Sequence, residues 1–367
     1  MKKFFSAAVV LVLVLSAVNA YNPPVYGDDL FELSSPRELT NGSSVVGGGL
    51  FYASPESLAV NPALTAKEQR IDLNAAYTAL ISSDKDNSSR YGNAFQAGIL
   101  IPFKRFVFSG YGNGTMVKFK ELPLGDSFNF KFGLAKEITD KLTVGLNLNS
   151  GIFWGAGSDW ALSGNLGFVY TYGDLSFLKD FRYGVSVLNL GKNYDHVKLI
   201  GVKDDKTASS LGTIATVKVG TAATLVSNDV IKLGFSCDLT TPAFQNLIAD
   251  LGLQFAVKEM LYISVAEKLN FLELSKGVKN VMPSVGLTFR FTFDVKNNDY
   301  LKKNGWSQSE MSASAAWKQI NKTVNAVSAG VDVNLGLKDE TPPVIKLWLD
   351  EEDEGDVKTI PALGDAK

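Results

Sequence analysis

Apolar and polar residues alternate along most of this 367-residue chain. In FNFKFGLAK, Phe128, Phe130, Phe132 and Leu134 fall on one side of an extended backbone, and Asn129, Lys131, Gly133 and Ala135 on the other. In MPSVGLTFRFTFD, Val285, Leu287, Phe289, Phe291 and Phe293 share a face opposite Ser284, Gly286, Thr288, Arg290 and Thr292. Segments of this kind span 70–82, 93–103, 105–114, 127–137, 142–154, 160–172, 181–191, 215–225, 230–240, 246–257, 261–269, 282–294, 310–320 and 323–335, with turn-forming residues between them. The pattern predicts about fourteen strands, give or take two, and an all-β chain.

A soluble sandwich alternates as well, so the cover over the apolar faces must be argued from the set. These segments are longer than the usual strand of about 5 to 6 residues and suit a tilted membrane strand. Aromatic residues crowd the segment ends: Phe103 and Phe106, Phe153, Trp154 and Trp160, Tyr170 and Tyr172, Phe181 and Tyr183. Such placement predicts interfacial girdles. The polar faces carry Lys232, Asp250, Arg290 and Asp332, which suits a wet or filled lumen. The expectation is an antiparallel transmembrane β-barrel of about fourteen strands, with lipid over the phenylalanines.

Loop lengths bear on the same point. An even strand number returns both termini to one side, which in outer-membrane barrels carries the short turns. The connections at Lys104-Arg105, Thr139 to Lys141, Val226 to Asp229 and Lys258 to Met260 are tight, and those at 116–127 and 192–212 are long. Two connections break the rule. The long stretch 295–309 lies on the short side, and Asn321-Lys322 makes a short turn on the long side; either a strand is miscounted there or the barrel is irregular near its closure.

The first twenty residues, MKKFFSAAVVLVLVLSAVNA, join two lysines to an apolar run and to small residues suited to a signal peptidase. This reads as an export signal over residues 1–20, with a mature chain from Tyr21. No later apolar stretch reaches the roughly 18 residues that a membrane helix needs. Hydrophobic residues make up 46% of the chain and charged ones 20%, and the net charge is −2. That composition suits a folded chain and gives no basis for nucleic-acid binding. One Cys and one His allow neither a disulfide framework nor a His/Cys metal centre. Cys237 reads as a small hydrophobe and His196 as a solvated loop residue. No nucleophile and base pair can be built around a single His, so no enzyme and no cofactor is expected.

Before the first strand stands GGGLFYASPESLAVNPALTAKEQ, which carries Gly47, Gly48, Gly49 and the corner Asn61-Pro62-Ala63. Pro62 fixes its own backbone and pushes Asn61 out of the helical region, while Asn61 can bond local backbone groups. The trio is suited to anchoring a plug against a barrel wall. Its position after a glycine-rich stretch and before strand one resembles the long-chain fatty-acid transporter family (FadL-like) and its PorV-like relatives. GVSVLNLGK around Asn189-Leu190-Gly191, and the stretch 218–246, resemble PorV-like members further.

The resemblance implies a signal peptide over 1–20, an N-terminal hatch over 21–69, a 14-stranded outer-membrane barrel over 70–336, and passage of hydrophobic molecules, fatty acids above all. Residues 337–367 depart from the family pattern and read as an acidic periplasmic tail, able to dock a periplasmic protein. Candidate ligand contacts are Met116, Val117, Phe119 and Leu122 at the entrance, with Lys232 and Arg290 as cationic candidates inside. Ion pairing of those two with Asp238, Asp250 or Asp332 is the plainer account. Two functions follow from the resemblance: an integral outer-membrane transporter of hydrophobic ligands, in contact with lipid, or a PorV-like docking or shuttle protein for secreted or surface partners. An exported soluble binder is the third alternative.

Overall fold

The computed structural model describes Tyr21, Pro23, Gly27 and residues 32–336, except 41–43, 87–88, 104, 118, 120–124, 155–156, 193, 195–196, 199–206, 209–214, 279–282 and 295–307. The proposed signal segment, the acidic tail, Leu122 and His196 lie outside the described residues.

Among the described residues sixteen strands run in chain order: β1 Ile71–Ser82, β2 Tyr91–Pro102, β3 Val107–Met116, β4 Asp126–Thr139, β5 Leu142–Trp154, β6 Ser158–Leu175, β7 Leu178–Lys192, β8 Val197–Lys198, β9 Thr207–Ala208, β10 Thr216–Ser227, β11 Ile231–Pro242, β12 Ile248–Val257, β13 Leu261–Asn270, β14 Ser284–Asp294, β15 Gln308–Gln319 and β16 Val324–Leu335. Strands β8 and β9 pair only with each other. The other fourteen form one closed antiparallel barrel, each bonded to its sequence neighbour, with β1 sealed against β16 from Ile71↔Leu335 to Ser82↔Val324. Closure removes the open edges that a lipid environment forbids. All fourteen predicted segments are present, and the first strand begins at the rim where the last one ends.

The alternation is spent as the sequence predicts. Phe130, Phe132, Leu146, Leu148, Leu287 and Phe289 are exposed on the outer face, and Phe128, Phe130 and Phe132 pack ring against ring along β4. Phe103, Phe106, Trp154, Trp160 and Tyr172 are also exposed, at strand ends. Tyr170 stacks on its ladder partner Tyr183 with centroids 5.2 Å apart. So much exposed apolar area, organised as a continuous band, is the mark of a lipid-facing surface. Among the described residues no helix is long and apolar enough to cross a membrane.

Phe153 corrects one expectation. It is buried, and its ring lies 5.7 Å from that of Tyr194. Its parity along β5 is that of Asn147, Asn149 and Gly151, which puts it inside and not in the girdle. No strand is miscounted, and the seam pairs without a register shift, so the departure near the closure lies in the connection lengths. β14 and β15 pair in full across the long connection. The short turn into β16 is held by Asn321, whose side-chain oxygen accepts from Thr323 N and Val324 N, both at 2.8 Å.

Candidate functional site

The buried face of the sheet is polar. Asn74, Asn113, Asn129, Asn147, Asn165, Ser186, Asp238 and Asp332 are all buried. Against that face packs the segment from Glu32 to Gln69, which contains a short helix Pro36–Leu39 and two 3-10 turns, Pro55–Ala59 and Pro62–Lys67. The helix lies on β14, β15 and β16, the first turn on β1 to β4, and the second on β3 to β6. The rest of the segment bonds onward around the wall. Arg182 of β7 donates to Val46 O at 2.9 Å, Lys218 of β10 and Lys268 of β13 both pair with Glu32, Val45 N donates to Asp238 of β11 at 2.7 Å, and Leu50 N donates to Gln254 of β12 at 2.8 Å. A segment that touches every strand of a closed barrel on its buried face runs through the inside.

Close docking there depends on glycine. A Cβ on Gly49 would stand 2.5 Å from the backbone carbon of Gly234, one on Gly98 2.5 Å from Pro55, and one on Gly286 2.8 Å from Thr40 Oγ1. The wall residues Gly145 and Gly167 hold Pro62 and the Asn61 side chain in the same manner. Asn61 is fully buried. Its Nδ2 donates to Val45 O at 2.7 Å and to Phe168 O at 3.2 Å, while its Oδ1 caps the turn by accepting from Ala63 N at 3.0 Å. Pro62 occupies the first position of that turn, where a missing N–H costs nothing. Ala63 is buried with Leu64 against Val169 of β6.

Arg182 forms a second anchor. Its guanidinium is 1% exposed and donates to Val46 O, Gly48 O and Gly49 O, with Asp180 as its carboxylate. Three carbonyls turned toward one planar fork require an unusual backbone path. Gly47 and Gly48 supply it, at φ 80° and 83°.

At the end of the barrel where β3 finishes, Val117 and Phe119 are fully buried in an apolar cluster with Leu33, Leu39, Leu80, Phe153, Ala161, Tyr194 and Ile320. Met116 points outward and is exposed. Beside the cluster lies a cavity of about 140 Å³. Its lining mixes Ala161, Val60, Leu188 and Ile248 with Asn113, Asn129, Asn149, Lys131, Asp250 and Glu32. Burial pushes the Glu32 carboxyl up, but Lys268, Lys218 and Lys318 outweigh it and hold it at about 2. Glu38, on the same rim, goes the other way. Burial and then the Glu56 carboxylate raise it to about 7, although Ser34 and Tyr111 donate to it.

The sequence candidates Lys232 and Arg290 do not meet in this cavity. Lys232 pairs with Glu259 at the opposite end of the barrel. Arg290 lines a smaller cavity of about 60 Å³, where its guanidinium lies 4.7 Å from the Tyr262 ring centroid. Neither is paired with Asp238, Asp250 or Asp332 in the ion pairs of the described residues. Sequence reasoning passed over Lys131, whose inward parity was legible. It stands 5.4 Å from the Tyr111 ring centroid and forms no ion pair among the described residues. The described residues contain no cluster of three His, Cys, Asp or Glu placed to hold a metal ion.

No protein-family model matches the chain, and no curated protein matches it. Solved structures do. The Ralstonia pickettii toluene transporter TbuX is 12% identical, with a TM-score of 0.53 over 84% of this chain and 99% of its own. The Pseudomonas putida toluene transporter TodX is 10% identical, with a TM-score of 0.51 over 84% of this chain and all of its own. At such identity the likeness is one of fold, and it extends over nearly the whole of those chains.

Proposed function

We propose that this chain is an outer-membrane channel for hydrophobic and amphipathic molecules, long-chain fatty acids among them, with the segment 32–69 acting as a hatch inside the barrel. The observation that carries this reading is the juxtaposition of the Val117, Phe119 and Phe153 cluster with a largely polar-lined cavity at one mouth of a lipid-facing barrel. A ligand with an apolar body would first meet the cluster, and the hatch below would deny water and ions a straight path. The toluene transporters that share this barrel support the same assignment by analogy of fold. An N-terminal segment docked on glycine sockets around the inner wall favours a ligand-selective route over an open aqueous pore.

The test is uptake of radiolabelled long-chain fatty acid and of labelled toluene by cells that carry the barrel, against cells with an empty vector. The reading predicts faster entry of at least one of them, with heat-modifiable gel mobility reporting a folded barrel. Equal entry of both into the two kinds of cell would defeat it.

A further inference from the structure

We propose that the cavity beside the apolar cluster is a head-group site for hydroxylated amphiphiles, such as molecules with a glycerol-like diol on an acyl chain. This rests on the channel reading and narrows its substrate class. The volume comes first: about 140 Å³ is well under the roughly 300–1,000 Å³ of a pocket that encloses a whole ligand. A small polar head fits, and a tail must lie elsewhere. Ala161 lines the cavity and also belongs to the Phe119 and Phe153 cluster, so the tail has a contiguous apolar neighbour.

Hydrogen-bonding capacity then selects the head. Asn113 and Asn149 are 3% and 9% exposed, and the Oδ1 of each has no protein partner among the described residues. The orientation of Asn149 is fixed by a chain of bonds. The Asn189 backbone N–H donates to Asn165 Oδ1 at 2.7 Å, so that atom is an oxygen, and the Asn149 atom 3.0 Å from it must be Nδ2. Asn149 Oδ1 therefore remains as an acceptor for something else. Asp250 Oδ2, in the same lining, is a further acceptor without a described partner.

Beside these acceptors the cavity offers a donor, whereas Lys218 and Lys268 in the same lining pair with Glu32. Lys131 is the ladder partner of Asn149 across β4 and β5 and lines the same cavity. A carboxylate head satisfies Lys131 and leaves the buried acceptors unmet. A hydrocarbon satisfies neither. An ammonium head satisfies the acceptors and opposes Lys131. A hydroxyl donates to an amide oxygen and accepts from an ammonium at once, and two adjacent hydroxyls match the set.

The experiment compares 1-octanoylglycerol with octanoate, which carry the same acyl chain, by calorimetry on the full chain held in amphipol and by entry into proteoliposomes. The glyceride is expected to bind at least about tenfold tighter, the effect of one or two hydrogen bonds. Asn113→Leu, whose parent side chain makes no described hydrogen bond, should weaken glyceride binding about five- to tenfold and leave octanoate unchanged, and Asn113→Asp, which keeps an acceptor, should bind it like the parent. Asn113→Ala, which also lacks an acceptor, serves if leucine disturbs β3, with the same loss expected. Equal or tighter binding of octanoate, or a glyceride affinity indifferent to these changes, overturns the head-group assignment while entry of either compound leaves the channel reading intact. Failure of the glyceride to bind or enter also overturns the head-group assignment, and the channel reading then stands or falls on the fatty-acid and toluene uptake.

Discussion

The side-chain oxygen of Asn61 occupies the space that a side chain on Gly167 would need. The corner Asn61-Pro62-Ala63 and the wall of β6 therefore fit as plug and socket. Gly167→Ala should strain this fit by about 1–3 kcal/mol, the usual cost of overpacking, and should act on the segment 32–69 more than on the barrel. The expected result is faster protease cleavage within 44–69 in the variant, with heat-modifiable mobility preserved. Unchanged cleavage would show that the corner yields freely.

Acidity should act on the same segment from two sides. Glu38 is raised from 4.5 to about 7, so the folded state holds its proton more tightly. Its contribution is complete below 4.5 and is lost as pH rises through 7, an effect on the order of 3 kcal/mol. Glu32, lowered to about 2, contributes above 4.5 and loses that contribution as pH falls toward 2. Protease resistance of the segment should peak near pH 4.5 to 5 and decline by pH 8. Glu38→Gln should remove most of the decline on the alkaline side.

Leu148 stands at mid-strand on β5 and is 63% exposed. If that exposure faces hydrocarbon, Leu148→Lys should cost about 2–4 kcal/mol in refolding into vesicles. Asn149→Lys, one residue on and facing inward, should leave lipid contact untouched. Equal refolding of Leu148→Lys and the parent chain would refute the lipid-facing assignment.

Phe119 packs within the cluster at the mouth. Phe119→Ala should cost about 3–5 kcal/mol locally and change the rate of labelled fatty-acid entry. Met116→Ala, at an exposed position, should alter that rate much less. Uptake measured side by side in folded variants separates the two.

The fourteen strands were legible because a period of two, repeated over segments of nine or more residues, leaves little room for another reading. Phe153 was misplaced because its aromatic character and terminal position outweighed its parity, which already grouped it with Asn147, Asn149 and Gly151. The inward orientation of Lys131, Lys232 and Arg290 was equally readable. Which of them shares a cavity was not, because ladder register and the route of the N-terminal segment decide which inward residues face one another. The cradle under Asn61 was half visible: Gly145 and Gly167 stand at inward positions, but the sequence does not say what fills them. Asn149 gained its meaning only from the bonds to Asn165 and Ser163.

Gly98 on β2 meets Pro55, and Gly330 on β16 meets Pro36; between these two strands lies only β1, where the sheet joins itself. The same stretch of chain thus straddles the weld. Pro55 and Pro36 thereby tie the leading segment to both flanks of the join, so its packing braces the line along which the cylinder is sewn shut.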